Sequence, residues 1–266
     1  MSSAEIVQAV RAWLARVGDP AARKALETLI PGARTVGVKV PLLRAAAVEL
    51  RRSHKDLPLE AAAEAMDLFA ASKVREEILI GTFWLARYGK KLVPLPWSRI
   101  AGWLPVLDNW ETCDQLAMGV AAPVLAADPD PAARLVPLTT ARSPWSRRFA
   151  LATVSALNQK GRAQVAVTLK VCATPGAVHK APTLASPVIG KALRAATPHD
   201  PEAVERFLKA HLRTAHPTVL REGSEKLPVD RQLALTKAAG SPKTRAKEPP
   251  PAKPAKTRPA SSRRRS

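Results

Sequence analysis

The chain is short of acid, of aromatic side chains and of cysteine. Its 266 residues hold 22 Asp and Glu against 42 Lys and Arg, a net charge of +20. Such an imbalance predicts a polyanionic partner, most simply nucleic acid, with an anionic membrane surface as the rival. No apolar run is long enough to span a bilayer, and Met1-Ser2-Ser3-Ala4-Glu5 has neither the basic nor the apolar region of a signal peptide. Two cysteines, Cys113 and Cys172, make no disulfide framework and no metal cluster, which suits a reducing cytoplasm. The histidines at 54, 179, 199, 211 and 216 are scattered, so neither a metal nor a redox cofactor is expected. With one Tyr, few β-branched alternations and no Asn-Gly pair, strand signals are scarce.

Helical periodicity is present in their place. Ile6, Val7, Val10, Trp13, Leu14 and Val17 fall on one face of a first helix. Gly18-Asp19-Pro20 ends it and starts a second that runs to about Ile30. Pro41 suits the first turn of a third, whose free N–H groups, with Lys39 and Arg44 nearby, could hold a phosphate. Further helices are predicted at Leu59–Ala70, Lys73–Tyr88, Gly161–Cys172 and Leu184–Ala196, and near 201–211 and 217–225, with a short one after Pro228. Glu76 and Glu77 are placed to pair with Arg75, Lys73 or a neighbouring helix. The pattern is all-α: antiparallel helix pairs at about 35–45 residues per pair, the spacing of HEAT-like solenoid repeats, offering a concave basic face that fits a duplex. One folded domain is expected over 1–240. From Ser241 onward nine Lys and Arg oppose one acid, Glu248, and large apolar residues vanish, so 241–266 reads as a disordered basic tail of charge +8.

Two stretches concentrate chemistry. In Asp108-Asn109-Trp110-Glu111-Thr112-Cys113-Asp114, either Asp108 or Asn109 can cap a helix on which Trp110 and Asp114 share a face. A carboxylate beside an aromatic ring makes a dry, negative spot that attracts a cation. The same pair also fits a buried Trp with a surface acid. In Ser143-Pro144-Trp145-Ser146-Arg147-Arg148, Ser143 is a natural cap and Pro144 a natural first residue, and Trp145 and Arg148 share a face. An Arg near a helix start is poorly placed for its own dipole. It reads either as a clamp on an external phosphate or as a partner of Asp114 or Asp108.

These stretches, in order, resemble the AlkD-like DNA alkylation repair family. Gly37 to Arg44 looks like its Gly-hydrophobic-x-x-Pro-x-x-Arg segment, and Arg75-Glu76-Glu77 like the start of its next helix. Trp110 to Asp114 looks like its central Trp-x-x-x-Asp motif, Trp145 to Arg148 like its Trp-x-x-Arg motif, and Gly190 to Arg194 like the start of its C-terminal segment. The resemblance spans roughly residues 5–225. It implies HEAT-like repeats and a DNA glycosylase that excises cationic N-alkylated purines such as 3-methyladenine and 7-methylguanine from double-stranded DNA. Asp114 carries over as the catalytic carboxylate, Trp110 as an aromatic against the lesion-bearing nucleotide, and Arg148 as a backbone clamp. Trp145, Arg147, Lys39, Arg44, Lys191 and Arg194 are the expected further DNA contacts. At Lys191 the family usually has a Trp, and Thr28, Leu29 and Ile30 stand where an aromatic often precedes the Gly-x-x-x-Pro segment. A non-catalytic repeat protein that binds damaged, bent or branched DNA is the alternative. The expected setting is a monomer in the cytoplasm, associated with the nucleoid.

Overall fold

A computed structural model describes residues 1–159, 161–174 and 186–240. The expected tail at 241–266 and His179 lie outside the described residues. Within them the protein is an all-α helical-repeat solenoid, with no β-strand beyond one isolated bridge between Arg34 and Val74. The first five helices are α1 (Ser3–Val17), α2 (Pro20–Leu29), α3 (Val40–Ser53), α4 (Leu59–Ser72) and α5 (Arg75–Ala86). Then come α6 (Trp97–Trp103), α7 (Trp110–Leu116), α8 (Ala122–Leu125), α9 (Pro131–Leu135), α10 (Pro144–Ala156) and α11 (Val165–Cys172). The last four are α12 (Ser186–Ala196), α13 (Pro201–Ala210), α14 (Pro217–Ser224) and α15 (Val229–Gly240). Packing follows chain order: α1 on α4, α3 and α4 on α5, α5 on α7, α7 on α10, α10 on α12, and α12 on α14. Near-neighbour packing of this kind is what makes a stack of helix pairs a solenoid.

The caps explain many of the boundaries. Ser2 and Glu5 close a capping box on α1, and Asp19, Asn109, Asp130, Ser143 and Asp200 each accept backbone N–H bonds at a helix start. Pro123 does not interrupt the central helix as its sequence suggests. The chain passes from α7 through a π-helical turn, Ala117–Ala121, into α8, and the Ala122 N–H reaches back to the Ala117 carbonyl. A proline ring inside an α-helix collides with the carbonyl four residues earlier; the wider π turn just ahead of Pro123 relieves that collision.

The helix α5 is buried on every side from Arg75 to Leu85, so it is the axis of the N-terminal half. Its first turn is polar yet buried. Glu76, fully inaccessible, accepts bonds from Thr35 Oγ1 at 2.6 Å, the Val36 N–H at 3.1 Å, the Val38 N–H at 3.2 Å and Arg75 Nη1 at 2.8 Å. Arg75 in turn donates to the Val38 carbonyl at 3.1 Å and, through Nε, to Glu111 at 2.6 Å. One buried ion network thereby fixes the 34–39 loop, α5 and the first turn of α7. Glu77 faces the other way and pairs with Arg11 of α1 at 3.0 Å. Gly37 lets the loop turn: its φ is +85, and a Cβ there would sit 2.1 Å from the Asp19 carbonyl oxygen.

Removing one member of a buried ion pair strands its partner. Glu76→Ala is therefore expected to cost about 3–5 kcal/mol of stability, read as a fall in the urea midpoint. An unchanged midpoint would show that the network is not a support of the fold.

Candidate functional site

The site is built where α7, α10 and α12 meet. Asn109 caps α7 by accepting from the N–H groups of Glu111 at 3.1 Å and Thr112 at 3.0 Å. Glu111 is held from below by Arg75, so the helix start cannot rotate freely. From that anchored turn, residues four apart project from one face, and Asp114 and Met118 line a cleft of about 520 Å³. The second wall is α10, whose Ser143 accepts from the N–H groups of Trp145 at 3.2 Å and Ser146 at 3.4 Å, and which presents Arg148, Ala152 and Ser155. The third is α12, presenting Val188, Lys191 and Arg194. This helix approaches α14 closely at Gly190, where a Cβ would lie 2.7 Å from the Cβ of Glu222. Asn158, His199 and Lys226 also line it.

Asp114 and Arg148 form a two-point ion pair. The guanidinium donates Nε to Oδ1 at 2.7 Å and Nη2 to Oδ2 at 2.6 Å, and the side chains are 21% and 11% exposed. Burial pulls the Arg148 guanidinium toward its neutral form, but its bonds to Asp114 and that carboxylate's charge outweigh the burial and hold its pKa above the ordinary value. Of the two readings open for Arg148, the structure has the carboxylate partner. The helix-start phosphate clamp is corrected to that extent: a planar fork and a carboxylate that face each other across two packed helices form the pair within the chain. The dry, negative spot expected beside Trp110 is corrected as well, because a cation is forked on Asp114 and Trp110 is 42% exposed.

Several expected contacts are engaged inside the protein. Trp145 is half-buried against the core, and its carbonyl accepts from the Cys113 thiol at 3.4 Å. Arg147 donates to the carbonyls of Ala141 at 2.7 Å and Arg142 at 3.0 Å. Arg44 lies 4.1 Å over the Phe83 ring and donates to Gln115 Oε1 at 3.0 Å. Arg194 pairs with Glu225 at 2.6 Å. Lys39 is exposed at the start of α3, where its side chain makes no cap bond. Only Asp114, Arg148, Lys191 and Arg194, among the residues singled out from the sequence, line the cleft. Lys226, Met118, Asn158 and His199 line it unannounced; Lys226 sits in a connection whose sequence signal is nothing more than charge.

Cys113 is fully buried. Burial first, then the Asp114 charge, pushes its thiol pKa well up, against a smaller opposing effect of Arg148. It is a packing thiol and not a nucleophile. Burial likewise pushes Cys172 up to about 12. Among the described residues no group of three or more His, Cys, Asp or Glu side chains could hold a metal, and no helix is long and apolar enough to cross a membrane.

A family model described as DNA alkylation repair enzyme matches residues 10–227. The chain belongs to that family. The match covers every helix that walls the cleft, and the family's role is DNA repair. Searches of curated proteins and of solved structures find no match.

The Asp114–Arg148 pair carries a stability prediction. Arg148→Ala removes two charged hydrogen bonds and leaves a largely buried carboxylate unpaired, so it should cost about 1.5–3 kcal/mol in thermal or urea unfolding. The Arg148→Ala/Asp114→Ala double variant should cost clearly less than the sum of the single variants, because the two residues share the interaction. Additive losses would show that the pair contributes nothing as a pair.

Proposed function

We propose that the protein is a DNA glycosylase that removes cationic N-alkylated purines, of the 3-methyladenine and 7-methylguanine type, by hydrolysis of the N-glycosidic bond. The observation that carries this reading is Asp114, the one carboxylate among the lining residues of a cleft that also presents Arg148, Lys191, Arg194 and Lys226. A cleft so lined suits DNA phosphates, with one anion positioned for a cationic centre.

The chemistry asks little of the protein. Alkylation at N3 or N7 makes the purine a cation and a good leaving group, so acid catalysis is dispensable. As the base departs, oxocarbenium character develops at C1′ of the deoxyribose. Asp114 stabilises that charge and orients or deprotonates the attacking water. Arg148 does not disable this role. A carboxylate has about four lone-pair sites and the Arg fork takes two, which leaves capacity for water or sugar while the group is held still. The position of Arg148 against Asp114 makes it a positioning residue first; its partner in the complex is the same carboxylate. Trp110, one helical turn before Asp114 and exposed, offers a ring face to the lesion-bearing nucleotide. Lys39, Lys191 and Lys226 supply phosphate contacts, and Arg44, Arg194, Arg147 and Trp145 support the surface that meets the duplex.

A non-catalytic reading, in which the protein binds damaged, bent or branched DNA, draws support from one observation. No Trp, Phe or Tyr is among the cleft's lining residues, so no large aromatic ring lines it to stack on an extruded base. Asp114→Asn separates the two readings. It should lower the single-turnover rate of base release on the order of 10²–10³-fold, as loss of one preorganised electrostatic stabiliser does, while duplex binding survives. A wild-type rate in the Asn variant would remove Asp114 from the mechanism.

A further inference from the structure

The four cations that line the cleft are not equivalent. Arg148 is forked on Asp114 and Arg194 is paired with Glu225, whereas Lys191 and Lys226 have no carboxylate partner among the described residues. Any of these cations could meet a phosphate. Only an amine can also add to a carbonyl.

The proposed excision creates a carbonyl in this cleft. Once the base has gone, C1′ of the deoxyribose carries a hydroxyl, and the ring-opened form of that hemiacetal is an aldehyde at C1′. This is the same carbon whose developing charge Asp114 is placed to stabilise. Lys191 is the better positioned of the two amines. It stands on α12, one turn after Val188, and lines the same cleft as Asp114, while Lys226 belongs to the connection after α14. Reactive groups carried on helices are held more tightly than those on loops.

We propose that Lys191 gives this cleft a second activity: cleavage of DNA at abasic sites by β-elimination through a covalent imine. The inference rests on the glycosylase reading for the placement of the sugar beside Asp114. Its substrate, however, is a duplex that already lacks a base. The Lys191 ammonium gives a proton to solvent, its amine then adds to C1′, and water leaves to form a C=N bond. The imine acidifies C2′, whose proton passes to the Asp114 carboxylate. The electron pair of that C–H bond forms a C2′=C3′ double bond. The C3′–O bond breaks, and the phosphate departs with its electrons. Water then hydrolyses the imine, returning the Lys191 amine and an unsaturated aldehyde on the 3′ end of the nicked strand.

The test is reductive trapping of the full-length protein on a duplex with one abasic site made by excision of uracil. Sodium borohydride converts the imine to a stable amine, so the wild type should give a protein–DNA adduct whose tryptic map places the sugar remnant on Lys191. Lys191→Arg keeps a cation for phosphate contact. It should still bind the duplex in a titration but give no adduct, and Lys191→Ala should give none either. Because the mapping uses the wild-type protein, it stands even if a variant folds poorly. No adduct from the wild type, or one mapped to another residue and undiminished in both variants, would overturn the proposal and leave Lys191 a phosphate contact. Release of 7-methylguanine, scored on separate DNA, keeps the readings apart: base release without an adduct overturns the lyase alone. An adduct without base release supports the lyase and removes the glycosylase.

Discussion

A buried guanidinium governs how this fold presents its cleft. Arg75 lies between Glu76 and Glu111, nearly inaccessible, with one cation set between two anions in the interior. Such an arrangement is tolerable only because the remaining acceptor capacity is used. Glu76 also takes the Thr35 hydroxyl and two loop N–H groups, and Arg75 also meets the Val38 carbonyl. The consequence is geometric. The loop before α3, the start of α5 and the start of α7 cannot shift independently, and α7 carries Asp114 and Trp110. A polar network in the core thus sets the position of a side chain in the cleft.

The Asp114–Arg148 pair extends that logic outward. A lone carboxylate in a partly buried cleft would be costly to keep charged and free to change rotamer. Forked on Arg148 it is held still, at the expense of part of its negative field. Preorganisation of this kind is what electrostatic catalysis requires, because the group need not reorganise as charge develops. The π turn at Ala117–Ala121 belongs to the same region: it follows the end of α7 and carries Met118, which lines the cleft. Lys191 and Lys226, with no carboxylate partner among the described residues, line the same cleft.

Much of this was legible in the chain. Periodic apolar residues and caps such as Asp19, Asn109 and Ser143 set most helices within a few residues, and scarce strand signals set the class. Local patterns report local geometry, so Trp110 and Asp114 on one face and Trp145 and Arg148 on another could be read directly. What the two faces meet could not. The Arg148 partner depends on α10 packing on α7 at a sequence separation of 34, and Arg75 reaches Glu111 at a separation of 36. Trp145 and Arg147 look like surface residues in sequence because nothing local says that the core half-buries one and that loop carbonyls hold the other. The same reason hid Lys226, whose place beside Lys191 comes from the packing of α14 on α12. Pro123 suggests a break in sequence because a proline signals the loss of an N–H, not how the helix adjusts to it.

The central claim is that this cleft hydrolyses an N-glycosidic bond, and product identity tests it most directly. The wild-type protein is incubated with duplex DNA containing 7-methylguanine and 3-methyladenine, and the protein-free supernatant is analysed by mass spectrometry. The account predicts free methylated base matched by an equal amount of abasic sites in the DNA, counted together as intact and cleaved. Tight binding of the same duplex with no base released would contradict it and leave a protein that holds damaged DNA without cutting it.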